Sequence, residues 1–284
     1  MEINISKEQL RKIQLLELEI LKEIKKICEA NNIKYFLIGG SLIGAIRHNG
    51  FIPWDDDIDI AMLREDFDRF VEIAPNVISK RFFVQTPATE PACTDYGIAR
   101  IRLNGTSFVQ ESNKNVNMNH GFFVDVFPFD NLPDNKLSAF FYGNWFPILK
   151  RINAIRNGYT PAPKSKKNKF VLQLFNILLK PIPTSKLKKW LKDYHKKYQN
   201  INTKYLFLLT GSWGYKKEKH AKQLLLKPTI LHKFEDEDFS IPQEFDKYLT
   251  EQYGDYMKLP NDIESCYNRH KCVQLDFGKY NNGE

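Results

Sequence analysis

The sequence is poor in cysteine and has no long apolar run. Its 284 residues contain only four cysteines and no Cys-x-x-Cys pair, which argues against a disulfide scaffold and for reduced thiols. No run reaches the ~18 apolar residues that predict a membrane span. Residues 1–8 lack a basic segment followed by an apolar one, so we expect no signal peptide and a cytoplasmic protein.

Acidic residues are almost missing from one segment, and this makes the chain basic. Between Lys150 and Lys197 there are 14 Lys and Arg side chains and one acid, Asp193, whereas the whole chain has 42 Lys and Arg against 34 Asp and Glu. This local excess argues against a nucleic-acid binder, whose basic groups spread over a folded surface. It predicts a single basic patch that meets an anionic partner.

Hydrophobic periodicity predicts an α/β fold with a mixed sheet flanked by helices and an added basic helical region. We expect a core at 1–133, a basic and aromatic helical insertion at 134–200, and a C-terminal region at 201–284 that completes the site. Ser6 and Gln9 form a capping-box pattern, and Ser41 is a candidate cap for a second helix that Gly50 would close. Helices are predicted at 7–30, 41–48, 65–74, 137–156, 170–180, 185–198 and 243–253, and strands at 35–38, 57–62, 82–85, 97–103, 107–110 and 121–127.

Four aspartates within five residues are the most informative feature of the chain. They are Asp55, Asp56, Asp57 and Asp59. Alternation along a strand places Asp57 and Asp59 on one face and the isoleucines between and after them on the other. Neighbouring carboxylates repel each other, and a hard divalent cation such as Mg²⁺ keeps both ionised. The pattern therefore indicates metal-assisted phosphoryl chemistry rather than a solvated acidic turn.

A glycine turn precedes the aspartates. Gly39, Gly40 and Ser41 follow a short apolar strand and open a predicted helix, so backbone N–H groups and the helix dipole would face an anion. Gly-Gly-Ser also occurs as a plain turn. The order of strand, glycine turn, short helix and Asp-x-Asp strand favours a phosphate cradle.

A third carboxylate is expected on a neighbouring strand. Residues 122–127 are apolar on both faces except for Asp125, which predicts a central strand with one inward acid. Such an acid needs a partner. Asp125 is therefore a candidate metal ligand or base for an attacking hydroxyl, and the alternative is an acid paired with a core arginine.

The amino-acid sequence of these segments resembles that of the LicD family of the nucleotidyltransferase superfamily. The resemblance rests on FLIGGSLIGAIRH at 36–48, GFIPWDDDID at 50–59, GFFVDVFP at 121–128 and YGDYMKLP at 253–260. The family includes bacterial phosphocholine transferases and is related to fukutin-type phosphoribitol transferases. The resemblance thus implies a nucleotidyltransferase-like mixed sheet in the core.

The same resemblance implies a reaction and a set of roles. A substituted phosphate, typically phosphocholine, would pass from a CDP-activated donor such as CDP-choline to a sugar hydroxyl of teichoic acid, lipopolysaccharide, capsule or a lipid-linked precursor, with release of CMP. By position, Asp57 and Asp59 carry over as ligands of Mg²⁺, with Mn²⁺ as the alternative ion. Gly40 and Ser41, next to Gly39, carry over as donor-phosphate contacts, Asp125 as third carboxylate, and Asp55 as a further ligand.

Other side chains are candidates for the donor pocket. Arg100 and Arg102 share one face of a predicted strand, where they would hold the diphosphate by forked hydrogen bonds or lie in solvent. Arg47 ends the helix after the glycines. Trp54 is either part of an aromatic wall for a trimethylammonium group or a core residue. Arg269 and His270 are weaker candidates for phosphate contacts, and His270 with Cys266 and Cys272 lacks the fourth partner of a zinc site.

The basic segment predicts a peripheral contact with an anionic membrane. Residues 170–180 are apolar around most of the helix and too short to span a bilayer. The segment would lie on the inner face of the cell membrane or pack against the protein with a basic rim. The flanking lysines are Lys164, Lys166, Lys167, Lys169, Lys186, Lys188 and Lys189.

Two other classes of function stay open at this point. One is a nucleotidyltransferase that acts on a small molecule or a protein and releases pyrophosphate from ATP or CTP. The other is a non-catalytic membrane-binding module with a degenerate pocket, against which the complete set of carboxylates argues.

Overall fold

A computed structural model describes residues 3–160, 166–210, 217–267 and 270–282. Its helices are α1 Lys7–Ala30, α2 Gly39–His48, α3 Arg64–Val77, α4 Lys136–Arg156, α5 Lys166–Leu178, α6 Thr184–Asp193, α7 Lys196–Gln199, α8 Lys222–Leu225 and α9 Phe245–Tyr253. Its strands are β1 Phe36–Leu37, β2 Ile58–Leu63, β3 Phe82–Gln85, β4 Ala99–Leu103, β5 Ser107–Gln110, β6 Phe123–Leu132, β7 Tyr205–Leu208, β8 Lys219–Ala221, β9 Thr229–Phe234, β10 Glu237–Pro242 and β11 Cys272–Asp276. Short 3₁₀ turns lie at Glu264–Cys266 and Gly278–Asn282.

A seven-stranded mixed sheet forms the centre of the fold. Its main path runs β1-β2-β6-β4-β3, and β7 and β8 extend it beside the end of β6. Strand β2 lies parallel to β6, whereas β6 pairs antiparallel with β4 along its first half and with β7 along its second half. The predicted mixed α/β fold is confirmed.

The register of the central strands brings charged residues into one row. Asp59 of β2 lies opposite Asp125 of β6, and Asp125 lies opposite Arg100 of β4. Adjacent strands are ~4.8 Å apart, so side chains in one row are direct neighbours. The long central strand β6 therefore sets where the acids of the Asp-x-Asp strand and the arginines of β4 meet.

The main core lies between this sheet and the helices that pack on it. On α1, residues such as Leu10, Ile13 and Leu21 are buried at helical spacing. The predicted capping box is present, since Gln9 N–H donates to Ser6 Oγ and Ser6 N–H donates to Gln9 Oε1. Burial of this stripe holds α1 beneath the site.

A second core lies at the far end of β6, where the helical region begins. Tyr142 and Phe146 of α4 pack there with Leu187 and Leu191 of α6 and with Phe207 of β7. Helix α5 adds partly buried side chains to the same cluster. The basic helices thus join the sheet through their own apolar layer.

Two local predictions about α2 are wrong. The helix begins at Gly39 with Ile38 as its N-cap residue, and Ser41 does not cap it. Ser41 Oγ instead accepts the Asp59 N–H at 2.8 Å, which ties the helix to β2. Asn49, in the left-handed conformation at φ 53°, closes the helix in place of Gly50.

The strands after residue 201 were not predicted from the sequence. Strands β7 to β11 are short, and β9 and β11 have several exposed positions, so their alternation is weak. Strand β11 pairs with β5, more than 160 residues earlier in the chain, and local patterning carries no sign of such a partner. Predicted α-helical residues 185–198 form two helices, α6 and α7, rather than one.

None of the helices within the described ranges combines the length and the apolar character that crossing a bilayer requires.

Candidate active site

The glycine turn brings the backbone of α2 against two carboxylates. Gly39 has φ +57°, a conformation that favours glycine. A methyl group there would lie 3.3 Å from Asp59 Oδ2 and 3.6 Å from Tyr253 Oη, and one on Gly40 would collide with Asp55 Oδ2. The two glycines therefore leave the space that the carboxylates of Asp55 and Asp59 occupy at the helix start.

The loop that carries the aspartates is fixed from below by α1. Gln14 donates to the backbone oxygens of Ile52 at 3.3 Å and Asp55 at 2.9 Å. Gln14 is buried, so the loop is held by a side chain that solvent does not compete for. This support positions the Asp55–Asp57 segment before β2 begins.

Four acids lie close to one another near the start of α2. Asp57 and Asp59 are two residues apart at the entry to β2, Asp125 is the cross-strand neighbour of Asp59, and Asp55 lies on Gly40. Burial, followed by the charges of Asp57, Asp125 and Asp55, raises the pKa of Asp59 well above its ordinary value. The structure thus brings together the carboxylates that the sequence singled out.

Two further acids belong to the cluster. Sequence reasoning missed Glu17 altogether and did not find the hydrogen-bond partner of Asp56. Glu17 of α1 is buried, and burial together with the charges of Asp57, Asp56 and Asp55 raises its pKa well above the ordinary value. Asp56 is also buried and accepts from His270 Nδ1 at 2.8 Å. Glu17 lies on the buried stripe of an ordinary amphipathic helix, so only its acidity at a core position signalled it.

His270 reaches the acids from the C-terminal region. Its Nε2 lies 3.6 Å from Asp57 Oδ2. Burial opposes its positive charge, but Asp57, Asp56 and Asp59 outweigh that effect and raise the pKa of His270 to about 10. The imidazolium therefore acts as a cation paired with the acids. The predicted contact by its neighbour Arg269 lies outside the described residues.

The donor set fits a hard divalent cation. Carboxylate oxygens are the ligands that Mg²⁺ and Mn²⁺ prefer. Ligand atoms of Asp56, Asp57 and His270 lie within 4.8 Å of one another, and Asp56 Oδ2 and Glu17 Oε2 are buried without a hydrogen-bond partner among the described residues. The predicted ligands Asp57, Asp59 and Asp125, with Asp55, supply the same kind of oxygen donor, but among the described residues only Asp56, Asp57 and His270 have ligand atoms this close to one another.

Arg100 lies inside the site, whereas Arg102 belongs to the core. Arg100 Nε donates to Asp125 Oδ1 at 2.7 Å, and its Nη1 donates to Asp95. Burial alone would lower the pKa of Arg100, but Asp125 and Asp95 raise it well above the ordinary value. Asp125 thus has the arginine partner of the alternative interpretation and also lies beside Asp59.

Arg102 has no free face for a donor. Its side chain is 2% exposed and donates to Gln85 Oε1 and to the Gly121 carbonyl oxygen, both at 2.6 Å. Burial and the charge of Arg100 lower the pKa of Arg102 to about 10. These contacts favour a structural role and do not support the predicted diphosphate contact.

Asp95 connects the site to the basic helical region and was not predicted. Lys150 Nζ of α4 lies 3.2 Å from Asp95 Oδ1, on the other side of the carboxylate from Arg100. Burial would raise the pKa of Asp95, but Arg100 and Lys150 hold it well below the ordinary value. Asp95 lies in a loop without periodicity, so the sequence gave no signal of this bridge.

Arg47 and Trp54 lie at the edge of the site. Arg47 Nη1 donates to the backbone oxygens of Tyr256 at 2.9 Å and Lys258 at 3.3 Å, which docks the 253–260 motif on the end of α2. Trp54 is buried, with Arg47 Cζ 6.0 Å from its ring centre and His48 at its edge. This placement favours the interpretation of Trp54 as a core residue rather than an aromatic wall.

A mixed α/β sheet, a glycine turn and clustered carboxylates together define an acidic site at the start of a helix. Comparison with known proteins assigns the class more closely. The family described as LicD/FKTN/FKRP, nucleotidyltransferase domain, matches residues 32–150. The chain is 30% identical over 260 residues to the lipopolysaccharide cholinephosphotransferase LicD of Haemophilus influenzae, an alignment that covers 90% of this chain and 94% of that protein.

A shorter similarity links the chain to animal proteins. It is 37% identical over 76 residues to the ribitol 5-phosphate transferase FKRP of Homo sapiens and of Mus musculus, covering 25% of this chain and 15% of each relative. Together with the long alignment to the bacterial relative, these findings show the family of the protein. The chain belongs to the LicD family.

Proposed function

We propose that this protein transfers phosphocholine, or a similar substituted phosphate, from a CDP-activated donor to a sugar hydroxyl of a cell-surface glycan or its lipid-linked precursor. One observation carries the proposal: Asp59 lies at the glycine turn, with Asp125 opposite it in the sheet and Asp57 two residues before it, in a chain similar over most of its length to a lipopolysaccharide cholinephosphotransferase. The acids supply a cation site, and the turn supplies an anion site beside it.

The donor diphosphate binds at the start of α2. The N–H groups of Gly39 and Gly40, which open the helix, and the positive end of the helix dipole hold its oxygens. Mg²⁺, or Mn²⁺, bound by Asp57, Asp59 and Asp125 would neutralise charge on the diphosphate and on the departing CMP. Asp55 and the Asp56–His270 pair keep these ligands in place from the loop side.

We assign a second task to Asp125. Arg100 holds its Oδ1, which leaves Oδ2 to orient the acceptor hydroxyl or take its proton as that hydroxyl attacks the choline-bearing phosphorus. A new oxygen–phosphorus bond forms, and the bond to the CMP oxygen breaks. Asp95, which is paired with Lys150, in turn holds Arg100, so the orientation of the Asp125 carboxylate depends on the basic helical region.

A nucleotidyltransferase reaction is the alternative at the same acids, because only the orientation of the donor distinguishes the two. The test is ³¹P NMR of the products formed with CDP-choline, CTP or ATP in the presence of Mg²⁺ or Mn²⁺. We expect CMP from CDP-choline and no pyrophosphate from either triphosphate. Pyrophosphate from CTP or ATP with CDP-choline left intact would replace the proposal by the alternative.

We also propose that α5 places the enzyme on an anionic membrane, where a lipid-linked acceptor is found. One face of α5 is packed, since Phe175 lies 5.2 Å from the Trp145 ring and Leu172 and Leu179 join the second core. The opposite face is exposed, with Phe170 at 67% and Ile177 at 68% exposure. The alternative prediction, a helix packed against the protein with a basic rim, therefore fits the packed face of α5 and leaves its exposed apolar face unexplained.

Charge complementarity supports a bilayer as the occupant of that face. Lys180, Lys186 and Lys189 are exposed on the segment that follows α5, and each basic residue near an anionic surface contributes up to ~1 kcal/mol. An apolar face beside lysines is typical of helices that lie in the membrane interface. Of the other predicted lysines, Lys164 and the side chains of Lys166, Lys167 and Lys169 lie outside the described residues.

A further inference from the structure

A small hollow beside Asp59 carries an inference about the substrate. It has a volume of about 110 Å³ and lies between the central sheet, the start of α2 and α9. Its lining includes Gly39, Asp59, Phe127, Tyr248 and Gln252. Phe127 is two residues after Asp125 on β6, and alternation puts both on the same face of the sheet. The hollow therefore continues from the row of acids along that face.

Two polar groups in the hollow are buried and unused. Tyr248 is fully buried and Gln252 is 4% exposed. Among the described residues, neither Tyr248 Oη nor Gln252 Oε1 has a hydrogen-bond partner. Burial raises the pKa of Tyr248 well above its ordinary value, so the hydroxyl keeps its proton and can donate. Buried polar groups without partners destabilise a fold, which points to a ligand that completes them.

The lining chemistry selects the class of ligand. It contains the carboxylates of Asp59 and Glu218 and the hydroxyl of Thr210, and no lysine or arginine lines the described part of the hollow. Away from the cation site at Asp59, a phosphate would meet Glu218 and no basic side chain, and a trimethylammonium group would leave Tyr248 and Gln252 without hydrogen bonds. A neutral ring with several hydroxyls satisfies donors, acceptors and the flat face of Phe127 together.

The size and position of the hollow favour the acceptor sugar over the donor nucleoside as its ligand. Pockets for whole drug-sized ligands run to ~300–1,000 Å³, so this hollow holds part of one sugar ring and not a nucleoside. It borders Asp59 directly. An attacking sugar needs a hydroxyl at the metal-binding carboxylates, whereas the donor ribose is separated from the attacked phosphorus by a second phosphate.

We propose that this hollow is the acceptor-sugar subsite and that Tyr248 and Gln252 bind the hydroxyls next to the one that attacks. The proposal rests on the proposed function for the identity of the reaction. Tyr248 and Gln252 determine which sugar is accepted. The ribose of the donor shares the same chemistry, and the experiment separates the two sources.

The test compares wild type with Tyr248→Phe and Gln252→Leu, which keep the packed volume of both side chains. Binding of methyl glycosides of glucose, galactose and N-acetylgalactosamine is measured by saturation-transfer NMR without donor, and binding of CDP-choline with Mg²⁺ is measured by calorimetry. Loss of one neutral hydrogen bond should weaken glycoside binding about three- to tenfold. CDP-choline affinity should stay unchanged.

Tyr142→Phe is the matched control. Tyr142 is buried in the second core, and its hydroxyl also lacks a hydrogen-bond partner among the described residues. Its removal should leave glycoside and CDP-choline binding unchanged. If the same loss of glycoside binding appeared in this variant, a general effect on the fold would replace the subsite.

Two results would overturn the subsite. One is that no glycoside binds the wild type. The other is that the variants lose CDP-choline affinity and keep glycoside binding, which would assign the hollow to the donor ribose. Absence of CDP-choline turnover in the wild type, with glycoside binding still sensitive to Tyr248→Phe, would instead overturn the proposed function and leave the sugar subsite standing.

Discussion

At the scale of single residues, the site is an assembly of like charges held by the fold. The repulsion is clearest at Asp59, because burial and the charges of Asp57, Asp125 and Asp55 raise its pKa. Strand alternation predicted a shared face for Asp57 and Asp59, and the register of β2 and β6 places Asp125 opposite Asp59. The roles of Glu17, Asp95 and His270 depend on contacts between distant segments, which one sequence does not reveal.

The first prediction concerns Asp59→Asn. The neutral amide removes a metal ligand, and charge neutralisation of a transferring phosphate contributes several kcal/mol, so CMP release from CDP-choline should fall at least about 10³-fold. Removal of one of the clustered negative charges also relieves repulsion. In EDTA the melting temperature should therefore be unchanged or higher than in the wild type.

Asp238→Asn is the control for that substitution. Asp238 is an exposed acid on β10, and its loss should leave both turnover and melting temperature as they are. Substantial turnover by Asp59→Asn, or its unfolding in EDTA, would contradict the role given to this carboxylate.

The second prediction concerns His220, whose ring is buried between Phe129 and Tyr248. Burial lowers the pKa of His220 to about 4, from an ordinary 6.5, and Glu251 Oε2 lies 4.0 Å from its Nδ1. Because only the unfolded chain takes up a proton between these values, the folded state loses stability as pH falls from 6.5 to 4. Between pH 7 and pH 5 the loss should be about 2 kcal/mol.

Urea unfolding of the wild type and His220→Phe at both pH values checks this effect. The phenyl ring preserves the aromatic packing and cannot be protonated. We expect the wild type to lose about 2 kcal/mol more than the variant on going from pH 7 to pH 5. Equal losses would mean that His220 is protonated in the folded protein.

At the scale of secondary-structure elements, periodicity predicted the parts that bury one clear face. Helix α1 and strand β3 match their predicted bounds, 7–30 and 82–85. The start of α2 was misplaced because Ser41, which looks like a cap, accepts a hydrogen bond from β2 instead. Strands β7 and β11 escaped prediction because each pairs with a strand far away in the chain, whereas β9 and β10 form a local hairpin in which β9 alternates only weakly.

The third prediction concerns the exposed face of α5. Phe170→Glu with Ile177→Glu should lower partitioning to phosphatidylglycerol-containing vesicles at least about tenfold, because burying one large apolar side chain contributes ~1.5–3 kcal/mol. Vesicle flotation measures the bound fraction.

Gln173→Glu supplies the control, since Gln173 is exposed on the same helix and the substitution adds negative charge without removing an apolar side chain. It should weaken binding much less. Equal losses in the two variants would indicate electrostatics alone, and unchanged binding of the double variant would remove α5 from the membrane contact.

At the scale of the whole molecule, the basic patch and the acidic site lie in different regions, and a chain of ion pairs connects them. The acids converge at the glycine turn, the basic excess lies in the helical region, and Lys150–Asp95–Arg100–Asp125 joins the two. The sequence showed both concentrations of charge but not this connection, which needs α4 to pack against the loop that carries Asp95.

The fourth prediction follows from that separation. Vesicle binding should weaken as NaCl rises, because exposed charges are screened within ~8 Å at physiological ionic strength. CMP release from CDP-choline free in solution should change much less over the same range, because the acids and Arg100 are largely buried. Parallel loss of both activities with salt would contradict separate regions for membrane contact and chemistry.

The central claim is that Asp57, Asp59 and Asp125 hold a divalent cation against the donor diphosphate. Calorimetric titration of Mn²⁺ into the protein, with and without CDP-choline, tests it most directly, with Asp59→Asn in parallel. The account predicts one Mn²⁺ per chain in the wild type, tighter binding when CDP-choline is present, and loss of both effects in Asp59→Asn. Mn²⁺ binding that is absent, indifferent to CDP-choline or equal in the variant would contradict it.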